Sequence, residues 1–182
     1  MATKVILDVD TGSDDAVAIM AAVLSPDIEV VAVCSVAGNK CIDMTTENSL
    51  RVVQMLGADI PVYKGCKEPL VRLLCPDKIA HKSEPVIVDG KEVKMHYDYL
   101  NLPEAKIKEQ DMPAAAFYVD YLRKASEPVT IVAVGPLTNV ATALIMDPDI
   151  VKNIEQIVIM GGGYRETNVS PTAEFNIWYD SE

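Results

Sequence analysis

Asp8-Val9-Asp10-Thr11-Gly12-Ser13-Asp14-Asp15 stands between two apolar runs, Val5-Ile6-Leu7 before it and Ala16 to Leu24 after it. An apolar run, a Thr-Gly turn, a Ser at the N-cap position and a second apolar run read as strand, tight turn and helix. The acids then gather at the carboxyl end of a buried strand, where open α/β sheets bind their ligands. Strand residues alternate faces, so Asp8 and Asp10 are expected to point the same way and approach one space near the turn. Two unit charges about 4 Å apart at an effective dielectric of about 20 repel by roughly 4 kcal/mol, so four carboxylates in eight residues call for protons or a cation. An all-oxygen donor set without nearby His or Cys favours calcium or magnesium over zinc or copper. Asp14 and Asp15 also suit a helix start, where acids interact favourably with the macrodipole.

Outward from this stretch, strand-like and helix-like segments alternate, as in βαβ units with a largely parallel sheet covered on both faces. Strands are expected at Lys4 to Asp8, Glu29 to Ser35, Val62 to Lys64, Val129 to Val134 and Gln156 to Met160, and helices at Asp14 to Leu24, Ile42 to Leu56, Pro113 to Lys124 and Leu137 to Ile145. In the second helix Thr45, Glu47, Asn48 and Arg51 are expected on a solvent face. Between Cys66 and Asp111 prolines and charges break the pattern, which reads either as a solvated insertion or as a lid over a site. Within it, residues 85–93 look like a small hairpin with an Asp89-Gly90 turn.

With 182 residues and 49% hydrophobic composition the chain can bury a real core and fits one domain or the larger part of one. A formal charge of -11 argues against nucleic acid as a partner. Met1-Ala2-Thr3-Lys4 enters the first strand at once, and no apolar run approaches a membrane span, so a cytoplasmic protein with no membrane partner is expected. Cys34, Cys41, Cys66 and Cys75 form no CxxC pair, and His81 and His96 share no zinc-ligand spacing with them. Cys34 reads as a small apolar filler in a strand.

Three further segments fall at expected strand ends. Val36-Ala37-Gly38-Asn39 follows the second strand, and its Gly-Asn pair reads locally as a turn that uses positive φ. Val134-Gly135-Pro136-Leu137-Thr138-Asn139 follows the fourth and leaves the Val134 carbonyl at the sheet edge, a natural ligand for a hard cation. Met160-Gly161-Gly162-Gly163 is followed by Asn168-Val169-Ser170-Pro171-Thr172-Ala173-Glu174-Phe175-Asn176, whose amides and carboxylate are the kind of set that hydrogen-bonds sugar hydroxyls.

Together these four segments, in this order, resemble the calcium-dependent nucleoside hydrolases, the inosine-uridine preferring nucleoside N-ribohydrolases. His96-Tyr97-Asp98-Tyr99-Leu100 stands where that family has a histidine-containing loop, with tyrosines in place of its usual small residues. The resemblance implies an α/β fold with an open, mostly parallel (mixed) Rossmann-like sheet flanked by helices on both faces. It also implies a bound Ca2+ and hydrolysis of the N-glycosidic bond of a ribonucleoside to ribose and free base. By position, Asp10, Asp15 and the Val134 carbonyl would be calcium ligands, with Asp10 the general base on a calcium-bound water. Asp14, Asn39 and Asn176 would hold the ribose ring and its 2′ and 3′ hydroxyls, Asn168 and Glu174 would meet the 5′ hydroxyl, and Met160 would form an apolar wall. Asp8 would support the loop. The resemblance further implies a homodimer or homotetramer, and a chain (residues 1–182) that is the N-terminal portion of a single nucleoside hydrolase domain, with residues 66–111 as a long loop or lid. The family's last aspartate ligand would lie in a C-terminal part not present here, so little activity is expected of these residues alone.

Two other readings remain open in the sequence. A haloacid dehalogenase-type phosphotransferase also places DxD at a strand end, but its pattern expects Thr or Val where Gly12 stands. A non-catalytic fragment that binds metal or nucleoside is the other.

Overall fold

The computed structural model describes residues 2–71 and 86–181; Cys75 and His81 lie outside them. Five strands form one sheet: β1 (Thr3–Val9), β2 (Ile28–Ser35), β3 (Val62–Lys64), β6 (Val129–Ala133) and β7 (Ile154–Ile159), in the order β3-β2-β1-β6-β7. Every pairing in it is parallel, and the antiparallel strands among the described residues form a separate hairpin, β4 (Val86–Val88) and β5 (Lys91–Val93). That hairpin turns through Asp89 and Gly90, both at positive φ, as an Asp-Gly turn requires.

Because consecutive side chains alternate, β1 feeds two cores. Val5, Leu7 and Val9 pack on one face against Ala16 and Ile19 of α1 (Ser13–Leu24) and Leu50 and Val53 of α2 (Ile42–Leu56). Ile6, with Cys34 of β2, packs on the other against Phe117, Tyr118 and Leu122 of α3 (Ala114–Lys124) and Val140 and Ala143 of α4 (Thr138–Met146). Each fully buried aliphatic side chain in these layers contributes about 1.5–3 kcal/mol. Tyr63 stacks on Phe117 with ring centroids 4.0 Å apart, tying β3 to α3. Cys34 is a buried thiol, as its place in an apolar strand leads one to expect. Among the described residues no helix is long and apolar enough to cross a membrane.

Three expectations are corrected. Gly12, not Ser13, occupies the N-cap of α1, and the Asp15 carboxylate accepts its N–H at 2.9 Å. The polar side of α2 is not a solvent face: Thr45 is fully buried and donates to the Val36 carbonyl, and Asn48 is fully buried where residues 98–106 lie across that helix. A short helix, α5 (Phe175–Tyr179), stands in a segment whose sequence shows little periodicity, since five residues make barely more than one turn.

The chain leaves β1 for β2 and β3 on one side and later returns to place β6 on the other. Strand order reverses at β1, and the carboxyl ends of β1, β2 and β6 enclose the crevice that such a reversal creates.

Candidate active site

Asp10 sits one residue past β1, in that crevice, and is 1% exposed. Its Oδ2 accepts the Asn39 N–H at 2.6 Å, while the Asn39 carboxamide donates at 3.4 Å both to the Asp10 carbonyl and to Asp15 Oδ2. Asp10, Asp15 and Asn39 are thus brought together as the motifs imply. Two glycines make room for them. A methyl group on Gly38 would overlap Asp10 Oδ2, and one on Gly135 would lie 3.0 Å from Asp10 Oδ1. Gly38 is therefore needed for close approach; neither it nor Asn39 has positive φ, so the local turn reading of that pair is not the operative one.

Desolvation, with the neighbouring Asp15 charge second, pushes the Asp10 carboxyl up to about 8. Burial likewise raises Asp15 above the ordinary carboxylate range. The side-chain charges that raise Asp10 are those of Asp15 and Asp14, with no positive side chain beside them among the described residues.

Asp8 does not join them. Its carboxylate, wholly buried between β1 and the α3/α4 layer, accepts the Tyr118 hydroxyl at 2.9 Å and the Asn139 amide at 3.1 Å. Burial pushes it up to about 7 despite those two donors. Asp14 turns outward, with its side chain 73% exposed and 3.6 Å from His96 Nδ1. The four-acid cluster of the sequence is therefore two acids in space. Among the described residues no group of three or more His, Cys, Asp or Glu side chains is arranged to hold a metal. The donors that do converge still suit a hard cation: two buried carboxylates with uncompensated charge, beside the carboxyl end of β6. There Val134 offers its carbonyl, which takes one bond from Asn176 Nδ2 at 2.8 Å and keeps a second lone pair.

Asn176 also donates to the Met160 carbonyl at 3.0 Å, tying the ends of β6 and β7 with Val134 and Met160 around it. Glu174 and Asn168 are engaged elsewhere. The Glu174 carboxylate caps α5, accepting the N–H groups of Asn176, Ile177 and Gly162, and Asn168 Oδ1 accepts the Phe175 N–H at 2.8 Å. Both side chains therefore fasten the start of α5, and Glu174 also holds the Gly162 backbone.

Two residues, Asn139 and Tyr118, escape the sequence reading of the site, and His96 enters it only through the resemblance. Asn139, fully buried, donates to Asp8 and to the Ser35 carbonyl at 2.9 Å and accepts the Cys66 N–H at 2.8 Å, which locks the ends of β1 and β2 to the chain after β3. It was visible only as the last letter of a motif. Tyr118 carries no local signal. His96 is brought to the outer edge of the site, its ring lying over Gly12, where a methyl group would overlap Nδ1.

The chain matches the model of a family described as inosine-uridine preferring nucleoside hydrolase over residues 5–182. It is 42% identical to a pyrimidine-specific ribonucleoside hydrolase, RihA, of Enterobacter sp. (strain 638), covering 100% of this chain and 55% of that one. With a non-specific ribonucleoside hydrolase, RihC, of Klebsiella pneumoniae (strain 342), identity is 39%, over 100% of this chain and 56% of the other. A solved purine-preferring ribonucleoside hydrolase from Gardnerella vaginalis superposes with a TM-score of 0.79 at 30% identity, covering 99% of this chain and 55% of that one. The chain thus spans about half the length of the relatives it matches. Four motifs gathered at one sheet edge and a family match over nearly every residue lead to one assignment: this chain belongs to the inosine-uridine preferring nucleoside hydrolase family.

Proposed function

We propose that this chain carries the ribose-binding and cation-binding part of a ribonucleoside hydrolase that cleaves the N-glycosidic bond to give ribose and free base. The observation that carries the reading is the buried Asp10–Asp15 pair at the switch point, steadied by Asn39. Asp10, Asp15 and the Val134 carbonyl would hold Ca2+. A calcium ion there supplies positive charge that makes a water more acidic and orients it. Asp10, ionised beside such a cation, would take the proton from the attacking water. Its carboxylate, fixed by the Asn39 N–H and walled by Gly38 and Gly135, cannot swing away from that task. The Asn39 and Asn176 carboxamides and the Asp14 carboxylate would bind the ribose hydroxyls, with Asn168 and Glu174 beyond them. That remote binding helps distort the sugar towards an oxocarbenium-like state. The same reading includes a cytoplasmic homodimer or homotetramer, which sedimentation would show.

The test, on a protein of the relatives' full length that carries these residues, is release of reducing sugar from inosine and uridine in millimolar calcium, with and without chelator. Turnover that is abolished by chelation and restored by calcium supports the proposal; calcium-independent turnover defeats the metal assignment. Because only two carboxylates converge, binding without turnover is the second reading. Calorimetry that finds nucleoside uptake with no sugar release would establish it.

Calcium should also set how stability responds to pH. Asp10 and Asp15 have folded pKa values above their unfolded ones, so without metal their contribution is complete below pH 4 and is lost as pH rises through about 8. A bound cation favours the ionised pair and offsets the loss. The calcium-induced rise in Tm should therefore grow from pH 5 to pH 8, while the slope due to Asp8, which does not face the ion, persists in both conditions. A calcium effect independent of pH would show that the ion binds elsewhere.

A further inference from the structure

Residues 98–106 lie along α2, held by side chains that recur at helical spacing. Asn48 Oδ1 accepts the Leu100 N–H at 2.9 Å, and its Nδ2 donates to the Asp98 carbonyl at 3.3 Å. Arg51 reaches the carbonyls of Leu100 and Leu102 at 3.1 and 3.2 Å, Glu47 accepts the Ala105 N–H, and Gln54 binds both Lys106 and Glu104. The strap is thereby bonded mainly through its backbone, which leaves the side chains before it free to serve the site. His96 lies two residues ahead of its first anchor, with the ring over Gly12 and Nδ1 buried but without a hydrogen-bond partner.

Asn48 differs from the other anchors, because its Nδ2 also donates to the Thr11 carbonyl at 3.0 Å, between Asp10 and Gly12. One fully buried carboxamide thus bonds both the Asp10 turn and the strap that carries His96. Glu47, Arg51 and Gln54 bond the strap but not the turn. Ser49 bonds the turn but not the strap, through the Thr11 hydroxyl at 2.7 Å.

We propose that Asn48 is a positioning residue, whose bonds to Thr11, Asp98 and Leu100 set the distance between the Asp10 turn and His96 and so place the imidazole at the outer edge of the site beside Asp14. The inference rests on the nucleoside hydrolase reading above for its effect on substrate, but not for its effect on the strap. Asn48 touches neither the assigned calcium ligands' side chains nor the space beside Asp10; it acts through two backbone segments.

The experiment compares wild type, Asn48→Ala, the isosteric Asn48→Asp and Gln54→Ala by hydrogen exchange, by the NMR shifts of the His96 ring and by calorimetry with inosine. Losing bonds of this kind is worth about a tenfold change in an equilibrium. Asn48→Ala should speed exchange across residues 96–102 by about tenfold, leave β1 and the rest of α2 protected, move the His96 ring shifts and weaken inosine binding with calcium affinity kept. Gln54→Ala should loosen only residues 104–106 and leave inosine binding intact. If Asn48→Ala fails to fold, Asn48→Asp, which keeps the Leu100 acceptor but loses both donors, should show the same ring shifts and weakened inosine binding. Unchanged exchange and His96 shifts in a folded Asn48 variant would overturn the proposal, as would altered shifts with inosine binding untouched. A wild-type chain that ignores inosine would defeat the nucleoside reading, and the His96 shifts would then decide the role of Asn48 alone.

Discussion

Replacing Asn139 with alanine is expected to destabilise the fold by about 3–5 kcal/mol, a large part of what a domain of this size has. Its carboxamide serves three groups at once: the buried Asp8 carboxylate and Ser35 carbonyl and the half-buried Cys66 N–H. Removing it leaves all three without that partner in a space too tight to admit many waters. Gly65 shows how tight, since a methyl group there would overlap both the Asn139 carboxamide and the Ser35 carbonyl. Each orphaned buried polar group costs about 1–3 kcal/mol. Urea unfolding in chelator isolates the effect from calcium binding. A change below about 1 kcal/mol would mean that Asp8, Ser35 and Cys66 find other partners and that Asn139 is not the clamp described here.

In a protein of the relatives' full length, Asp10→Asn is expected to lower ribonucleoside turnover by roughly a thousandfold or more, because it removes the proposed proton acceptor and one of the two carboxylates in the crevice. The substitution is nearly isosteric, so Gly38 and Gly135 still close around the side chain and the Asn39 N–H can still find an acceptor. Folding should therefore survive, and without calcium the variant should be more stable than wild type at pH 8, since it no longer confines an ionisable carboxyl beside Asp15. Calcium titration, reducing-sugar assay and thermal unfolding on the same preparation separate these effects. Near-normal turnover with calcium bound would show that another group takes the proton.

The fold was legible because periodicity and strand-end chemistry agreed. β2, β3 and α2 end where the sequence places their ends, and the apolar alternation in β1 sorts its residues to the two faces actually used. The site was legible where residues act locally, as in the Asp10 turn and the Asn39 segment, and less so where tertiary partners decide the outcome. Asp8 and Asp14 look like members of one cluster with Asp10 and Asp15, yet Tyr118 and Asn139, from elements far along the chain, claim Asp8. Asn48 reads as exposed because the segment that buries it has no periodicity of its own. Glu174 reads as a sugar ligand, although its immediate work is to cap a one-turn helix too short to announce itself.

The placement of β1 has a kinetic consequence. It pairs early in sequence with β2, through α1, but its other edge must wait for β6, whose Ala133 partners Asp8 across most of the chain. Closing a loop of that span is slow relative to forming the local β1-α1-β2 unit. During refolding the Asp10 turn and Asn39 should therefore come together first, on a half-open strand. The Val134 carbonyl and the Asn139 carboxamide would arrive only with the rate-limiting docking of β6 and α4. Folding intermediates would then be able to hold the two acids near each other before they can complete a site, so that calcium added early should speed the last step more than the first.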